Sequence, residues 1–272
     1  ITLTGVGGQG AGGGHHGVSI EQGAQVAVQL LGTHPKNGLY FAHCRGGLGG
    51  DGLSHERGNH GIDFHGSLHL ASGALYFQEI EGGRGLGGCN HGIYLPPEIA
   101  VVAPVISAVD VKGGKGSSNN IGLFIRGGSL GGASTRSIVV SAVSLGTGNH
   151  EVGIQLDHNA AVQVGDGGAI ALLGVGGGLD TGDGLGNYGV YIDGGVILAG
   201  SGGKGQTTVQ ITGVGGAGEY GCHAGVYIGE KGFFPSIHSQ QTDHALRFIG
   251  CKGGRGGSKN PGVAIFGPLY LN

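Results

Sequence analysis

Short runs in which hydrophobic and polar residues alternate recur along the whole chain. The most regular run starts with a glycine, followed by an aliphatic residue, a variable residue and a second hydrophobic residue. It occurs eight times, at residues 17–20, 61–64, 92–95, 122–125, 153–156, 189–192, 225–228 and 262–265. We call this run the anchor strand. Alternation with a period of two is typical of a strand with one buried face, so we predict that both hydrophobic residues of each anchor strand face a core.

Two further hydrophobic runs flank each anchor strand. The upstream run alternates and leads into a glycine pair, as at 209–212 before Gly215 and Gly216, and the downstream run is more variable, as at 68–70. The spacing between successive anchor glycines is shortest from Gly92 to Gly122, at 30 residues, and longest from Gly17 to Gly61, at 44 residues. Three short strands in such a period fit one coil of a parallel β-helix, in which equivalent strands pair about 4.8 Å apart.

The sequence therefore predicts an all-β fold, a right-handed parallel β-helix (solenoid) of about eight coils with three short strands each and glycine-rich loops. One solenoid domain spans residues 1–272, with coils at approximately 1–36, 37–73, 74–106, 107–136, 137–168, 169–206, 207–243 and 244–272. A bundle of glycine-rich polyproline II helices is the alternative, and the eightfold aliphatic alternation argues against it.

Composition narrows the class of protein. Glycine supplies 69 of the 272 residues, without the strict three-residue period of collagen. Hydrophobic residues make up 38% and charged residues 11%, which is unlike a disordered chain. The net charge of −3 without a basic block predicts no nucleic-acid partner, and no apolar run approaches the roughly 18 residues of a membrane span.

Polar residues form two columns just before the anchor glycines. Two residues upstream stand Asn59, Asn90, Asn120, Asn187 and Asn260, with His15 and His223 in two other copies. Asparagine tolerates the left-handed turn conformation, and stacked amides can bond to one another, so we predict a turn ladder rather than a ligand site. One residue upstream stand His16, His60 and His91. We predict that these imidazoles stack at the loop edge, with metal binding as the alternative.

The four cysteines also fall into columns. Cys44 and Cys251 precede a glycine pair, whereas Cys89 and Cys222 each stand three residues before an anchor glycine. Each combination joins neighbouring coils, so we predict the disulfides Cys44–Cys89 and Cys222–Cys251 and hence an oxidising compartment. Four buried free thiols are the alternative.

The outward positions of the anchor strand carry the remaining candidates for binding. Tyr94, Phe124, Tyr191 and Tyr227 occupy its variable position. They predict an exposed aromatic stripe that stacks on sugar rings or packs against a neighbouring rod, or else ordinary cross-strand pairs. Asp157 and Asp193 stand in adjacent coils, and we interpret them as a solvated pair or a weak cation site. No catalytic constellation, cofactor motif or metal motif is predicted.

The runs Asn-Tyr-Gly-Val-Tyr-Ile at 187–192 and Ile-Thr-Gly-Val-Gly-Gly at 211–216 resemble the β-strand repeats of very large bacterial surface proteins of the filamentous-haemagglutinin-like adhesin type. The resemblance implies an extracellular or cell-surface location. The chain begins and ends in strand-like runs, so we expect it to continue into further repeats or to stack end to end with identical chains. The predicted function is a non-enzymatic structural one. A glycan-binding adhesive module and, less favoured, a polysaccharide-cleaving enzyme are the alternatives.

Overall fold

A computed structural model of the chain describes residues 1–22, 24, 26–28, 37–49, 54–85, 87–179, 184–200, 207–229, 236–238, 245–266 and 270–271. Apart from a 3-10 turn at His55–Arg57, the regular secondary structure of these residues consists of short β-strands. Within the described residues there is no helix long and apolar enough to cross a membrane. The predicted all-β class is therefore confirmed.

The strands of the first four coils, in chain order, are β1 (Thr2–Leu3), β2 (Gln9–Gly10), β3 (Val18–Ile20), β4 (Val26–Val28), β5 (Gly38–Ala42), β6 (Leu48–Gly49), β7 (Ile62–Phe64), β8 (Leu68–Leu70), β9 (Ala74–Glu81), β10 (Ile93–Leu95), β11 (Ala100–Val102), β12 (Val105–Lys112), β13 (Leu123–Arg126) and β14 (Ser129–Gly131). Those of the last four coils are β15 (Ser137–Val143), β16 (Ile154–Asp157), β17 (Ala161–Val164), β18 (Ala169–Val175), β19 (Val190–Asp193), β20 (Val196–Ala199), β21 (Thr208–Val214), β22 (Val226–Ile228), β23 (Ser236–His238), β24 (Ala245–Phe248), β25 (Val263–Ile265) and β26 (Tyr270–Leu271).

Three parallel sheets run along the solenoid, and each takes one strand from every repeat. Sheet I has the order β1-β5-β9-β12-β15-β18-β21-β24, sheet II contains the anchor strands β3-β7-β10-β13-β16-β19-β22-β25, and sheet III is β4-β8-β11-β14-β17-β20-β23-β26. Strands β2 and β6 form a separate pair in the loops. The predicted parallel β-helix with three strands per coil is confirmed.

The number of complete coils differs slightly from the predicted eight. Although each sheet contains eight strands, about six coils are complete. Parts of the first, second, third, sixth, seventh and eighth coils fall outside the described residues.

The core is the space between the three sheets, filled by the inward residues of every coil. The anchor strands pair in register, so that Ile93 lies beside Ile62 on one side and Leu123 on the other. All three side chains are buried in one continuous apolar cluster. Because a one-residue shift would turn every hydrophobic side chain outward, this burial fixes the register.

The glycine pairs follow sheet I because the two arms of each loop lie in direct backbone contact. The N–H of Gly114 donates to the carbonyl oxygen of Asn90 (2.6 Å). A Cβ atom on Gly114 would collide with the carbonyl oxygen of Gly83, and one on Gly113 would collide with that of Asn120. The same donation recurs at Gly83 and Gly216, which bond to the carbonyl oxygens of Asn59 and Asn187. These positions thus require glycine because there is no room for a side chain.

The glycine that starts each anchor strand is also required by close backbone contact. Where sheet II begins, its backbone passes against the ends of the sheet I strands. A Cβ atom on Gly92 would lie 2.6 Å from the carbonyl oxygen of Gly122 and 2.7 Å from that of Lys112. The close approach explains why glycine precedes every anchor strand.

Candidate functional site

The polar column two residues before the anchor glycine forms a continuous hydrogen-bonded ladder. In each step the backbone N–H of one coil donates to the side chain of the next coil. The steps run from His15 to Asn59 Oδ1 (3.1 Å), Asn59 to Asn90 Oδ1 (3.1 Å), Asn90 to Asn120 Oδ1 (3.2 Å), Asn120 to Glu151 Oε2 (3.0 Å), Glu151 to Asn187 Oδ1 (2.9 Å), Asn187 to His223 Nδ1 (3.2 Å) and His223 to Asn260 Oδ1 (2.9 Å). The bonds are therefore mainly from backbone to side chain, and they give the solenoid a direction.

Glu151 occupies this ladder position in the fifth coil and was not among the predicted ladder residues. Its carboxylate accepts hydrogen bonds from the N–H and Nδ2 of Asn120 and from the Ser144 hydroxyl (2.8 Å). Burial raises the pKa of Glu151 to about 7, although these hydrogen bonds act to lower it. Protonation of Glu151 therefore stabilises the fold at low pH, and this contribution is lost as the pH rises through 7. The sequence does indicate this role for Glu151, because it stands two residues before the anchor glycine Gly153.

The histidines just before the anchor glycines form a second, shorter ladder. The N–H of His60 donates to His16 Nδ1 (3.3 Å), that of His91 to His60 Nδ1 (3.1 Å), and that of Ile121 to His91 Nδ1 (3.2 Å). The rings stack at centroid distances of 5.1 Å and 4.9 Å. Because each Nδ1 accepts a hydrogen bond, the proton of each neutral ring is on Nε2. Burial lowers the pKa of His60 and His91 well below 6.5.

A buried carboxylate lies beside this ladder. Asp63 has no exposed side-chain surface, and its Oδ2 lies 3.0 Å from His16 Nε2 and 2.9 Å from His65 Nε2. Its Oδ1 has no hydrogen-bond partner among the described residues. Burial raises the pKa of Asp63 to about 6, although the neighbouring His65 acts to lower this pKa. One oxygen of Asp63 is thus held by two imidazoles.

A third group brings a cysteine to the histidine ladder. His55, in the 3-10 turn, lies with its Nδ1 3.0 Å from the Nε2 of His91. The ligand atoms of His55, Cys89 and His91 all lie within 4.8 Å of one another. Burial raises the pKa of the Cys89 thiol to about 11 and lowers that of His55 to about 4. The cluster places two nitrogen donors and one sulfur donor together, which the sequence did not predict.

The aromatic positions are less exposed than predicted. Tyr94 and Phe124 are buried, with ring centroids 5.5 Å apart, whereas Tyr191 and Tyr227 are half-buried and stacked at 5.1 Å. The loop residue before each anchor glycine folds over them, as Tyr188 does on Tyr191 at 5.0 Å. An exposed stripe is therefore wrong for Tyr94 and Phe124, which belong to a second apolar cluster outside sheet II.

Asp157 and Asp193 line a polar cleft of about 510 Å³ together with His150 and Tyr191. Asp157 pairs with His158 Nδ1 (2.9 Å), and Asp193 accepts a hydrogen bond from the Tyr191 hydroxyl (3.0 Å). Each carboxylate is thus held by a neighbour close in sequence.

The predicted disulfides Cys44–Cys89 and Cys222–Cys251 are wrong, because all four cysteines are free. Cys44 belongs to the apolar core, and Cys251 packs against it from the last coil. Cys89 and Cys222 lie in the loops instead, at left-handed backbone positions with φ of 61° and 59°. Each predicted pair would join an inward column to a loop column, so the two sulfur atoms do not face each other. The alternative of free thiols applies, but only Cys44 and Cys89 are buried, whereas Cys222 and Cys251 are partly exposed.

Comparisons with known proteins do not assign the chain to a family. No family model, no curated protein and no solved structure matches this chain. The adhesin resemblance is supported only at the level of a parallel β-solenoid built from strand repeats.

Proposed function

We propose that this chain is a non-enzymatic structural subunit of an extracellular fibre, in which identical chains stack end to end. The observation that carries the proposal is the open core of the last coil. Ile265 lies in the inward column of the anchor strands and is 43% exposed. The six preceding residues of this column are at most 2% exposed. They are Phe64, Leu95, Ile125, Leu156, Ile192 and Ile228.

The hydrogen-bond ladder supports continuation in one direction. In each step of the ladder, a backbone N–H donates to the side chain of the next coil. Between two stacked copies, the N–H of Asn260 in one copy would donate to the His15 ring of the other. Head-to-tail contact joins unlike ends, and such a contact propagates instead of closing. The outer strands β24 and β25 also end their sheets, and unpaired parallel edges favour strand addition.

Two further features support a structural rather than a catalytic or adhesive role. The carboxylates of Asp157 and Asp193 are engaged by His158 and Tyr191, and two of the four aromatic residues considered for sugar stacking are buried. The likeness of runs 187–192 and 211–216 to adhesin-type repeats supports the extracellular location.

Electron microscopy and sedimentation velocity of the purified chain test the proposal. Eight strands at about 4.8 Å give a single-chain rod roughly 38 Å long, and we expect longer rods in multiples of that length as concentration rises. Ile265→Lys places a charge in the open core and should return the particles to single-chain length.

The matched control is Val139→Lys, because Val139 is 41% exposed on the outer face of β15 and does not lie at an end. This variant should assemble like the unaltered chain. Isolated short rods of the unaltered chain at every concentration, or equal loss of assembly in both variants, would contradict the proposal.

A further inference from the structure

We propose that His55, Cys89 and His91 form a binding site for a zinc-class divalent transition metal, which fastens the second coil to the third. His55 comes from the 3-10 turn of the second coil's loop, whereas Cys89 and His91 belong to the loop that precedes the anchor strand of the third coil. A bound ion would therefore join two coils through side chains. This role is independent of assembly at the ends.

The donor atoms suit this class of ion. Imidazole nitrogen and thiolate sulfur are the ligands that zinc prefers, with bonds of about 2.0–2.1 Å and 2.3 Å. Tetrahedral geometry then places the two nitrogen atoms roughly 3.3 Å apart and each nitrogen roughly 3.6 Å from the sulfur. His55 Nδ1 and His91 Nε2 are now 3.0 Å apart, and all three donors lie within 4.8 Å of one another. Small side-chain rotations are sufficient to surround an ion, and the fourth position is left for water.

The protons can be accounted for in full. Binding releases the thiol proton of Cys89 to solvent, as coordination of a thiol requires. His91 stays neutral, but its proton moves from Nε2 to Nδ1 so that Nε2 can ligate. The Ile121 N–H, which now donates to His91 Nδ1 at 3.2 Å, then loses its acceptor. The hydrogen bond between His91 Nε2 and His55 Nδ1 is lost as well. Two hydrogen bonds are thus exchanged for three metal bonds, and the Ile121 amide becomes a reporter of binding.

The seventh coil provides an internal reference for the cysteine. Cys222 occupies the same column as Cys89 and has nearly the same left-handed backbone, with φ of 59° against 61°. Ala224 takes the place of His91 there. A structural need for cysteine at this turn applies to both coils equally, whereas metal binding applies only to Cys89.

Titration of the reduced, metal-stripped and untagged chain with Co²⁺ tests the site. We expect one equivalent to bind with a thiolate-to-cobalt charge-transfer band in the near ultraviolet, Zn²⁺ to displace it, and the Ile121 amide resonance to shift. Cys89→Ser should abolish the band and weaken Co²⁺ binding at least about 100-fold, beyond the effect of losing a supporting residue. Cys222→Ser should leave both unchanged.

His55→Gln keeps the test valid if the Cys89 variant fails to fold, because His55 lies on the loop and outside the solenoid core. It should weaken Co²⁺ binding to a similar degree while the circular dichroism spectrum stays unchanged. The proposal is overturned if Co²⁺ does not bind saturably or if the band survives Cys89→Ser. It is also overturned if binding occurs without the band, since that would place the ion elsewhere, for example at His16, His60 and Asp63.

Discussion

Replacement of Gly114 by alanine is expected to lower the free energy of unfolding by at least about 3 kcal/mol. A Cβ atom at this position would collide with the carbonyl oxygen of Gly83 and would lie 2.7 Å from Cβ of Asn90. Neither neighbour is the end of a flexible side chain. The two arms of the loop must separate, and the bond from the Gly114 N–H to Asn90 must lengthen or break. Urea unfolding monitored by circular dichroism measures the loss of stability, because the chain has no tryptophan for fluorescence detection.

Gly132→Ala is the matched control for this variant. Gly132 also lies in a loop between strands, but a Cβ atom there would meet only Val102 side-chain atoms at 3.6 Å and 3.8 Å. Its substitution should change the free energy of unfolding by less than about 1 kcal/mol. If both variants lose the same stability, close backbone contact is not the reason for the glycine pairs.

Replacement of Asn120 by alanine is expected to lower the free energy of unfolding by about 3 kcal/mol or more. Asn120 is fully buried, and its Oδ1 accepts bonds from the N–H (3.2 Å) and Nδ2 (3.1 Å) of Asn90. Its own Nδ2 donates to Glu151 Oε1 (3.0 Å). The variant leaves two buried donors without this acceptor and removes one donor from a buried carboxyl group, and neither loss is repaired by water.

Asn149→Ala separates this effect from the loss of any asparagine between coils. Asn149 Oδ1 accepts the N–H of Leu185 (2.7 Å), a bond of the same type between neighbouring coils, but it is exposed. Water replaces an exposed partner, so we expect a loss below about 1 kcal/mol by the same denaturation assay. Equal losses in the two variants would show that the buried ladder has no special contribution.

The architecture was predictable because every coil repeats the same local constraint. Alternation with a period of two defined the inward residues, such as Ile93 and Leu123, and parallel stacking then followed from their recurrence in every repeat. The positions of the asparagines were visible in the sequence as well. The direction of the ladder was not, because it depends on which backbone N–H faces which side chain after the loop has folded.

The cysteine prediction failed because sequence spacing alone did not separate inward columns from loop columns. A signal was present. The position of Cys44, two residues before a glycine pair, is occupied by Ile80 and Val111 in the next coils, and both are core residues. Cys89 instead shares its column with Asn119, which has a left-handed backbone. Comparison of the columns would have placed the two thiols on different sides of the chain.

The burial of Tyr94 and Phe124 could not be read from strand alternation. Alternation correctly places them on the outer face of sheet II, but the preceding loop covers that face. The apolar residues Ile121 and Val152, just before their anchor glycines, hinted at a second cluster. The position of His55 over His91 is a tertiary contact across 36 residues, and no local pattern encodes it.

The central claim is that equivalent residues of consecutive coils lie side by side in register along one axis. Nuclear Overhauser effects on an isotopically labelled sample test it directly. Backbone contacts are predicted between Leu123 and Ile154, and between Ile154 and Val190, in the parallel pattern. Antiparallel contacts, or none between residues 31 and 36 positions apart in these two pairs, would contradict the stacked solenoid.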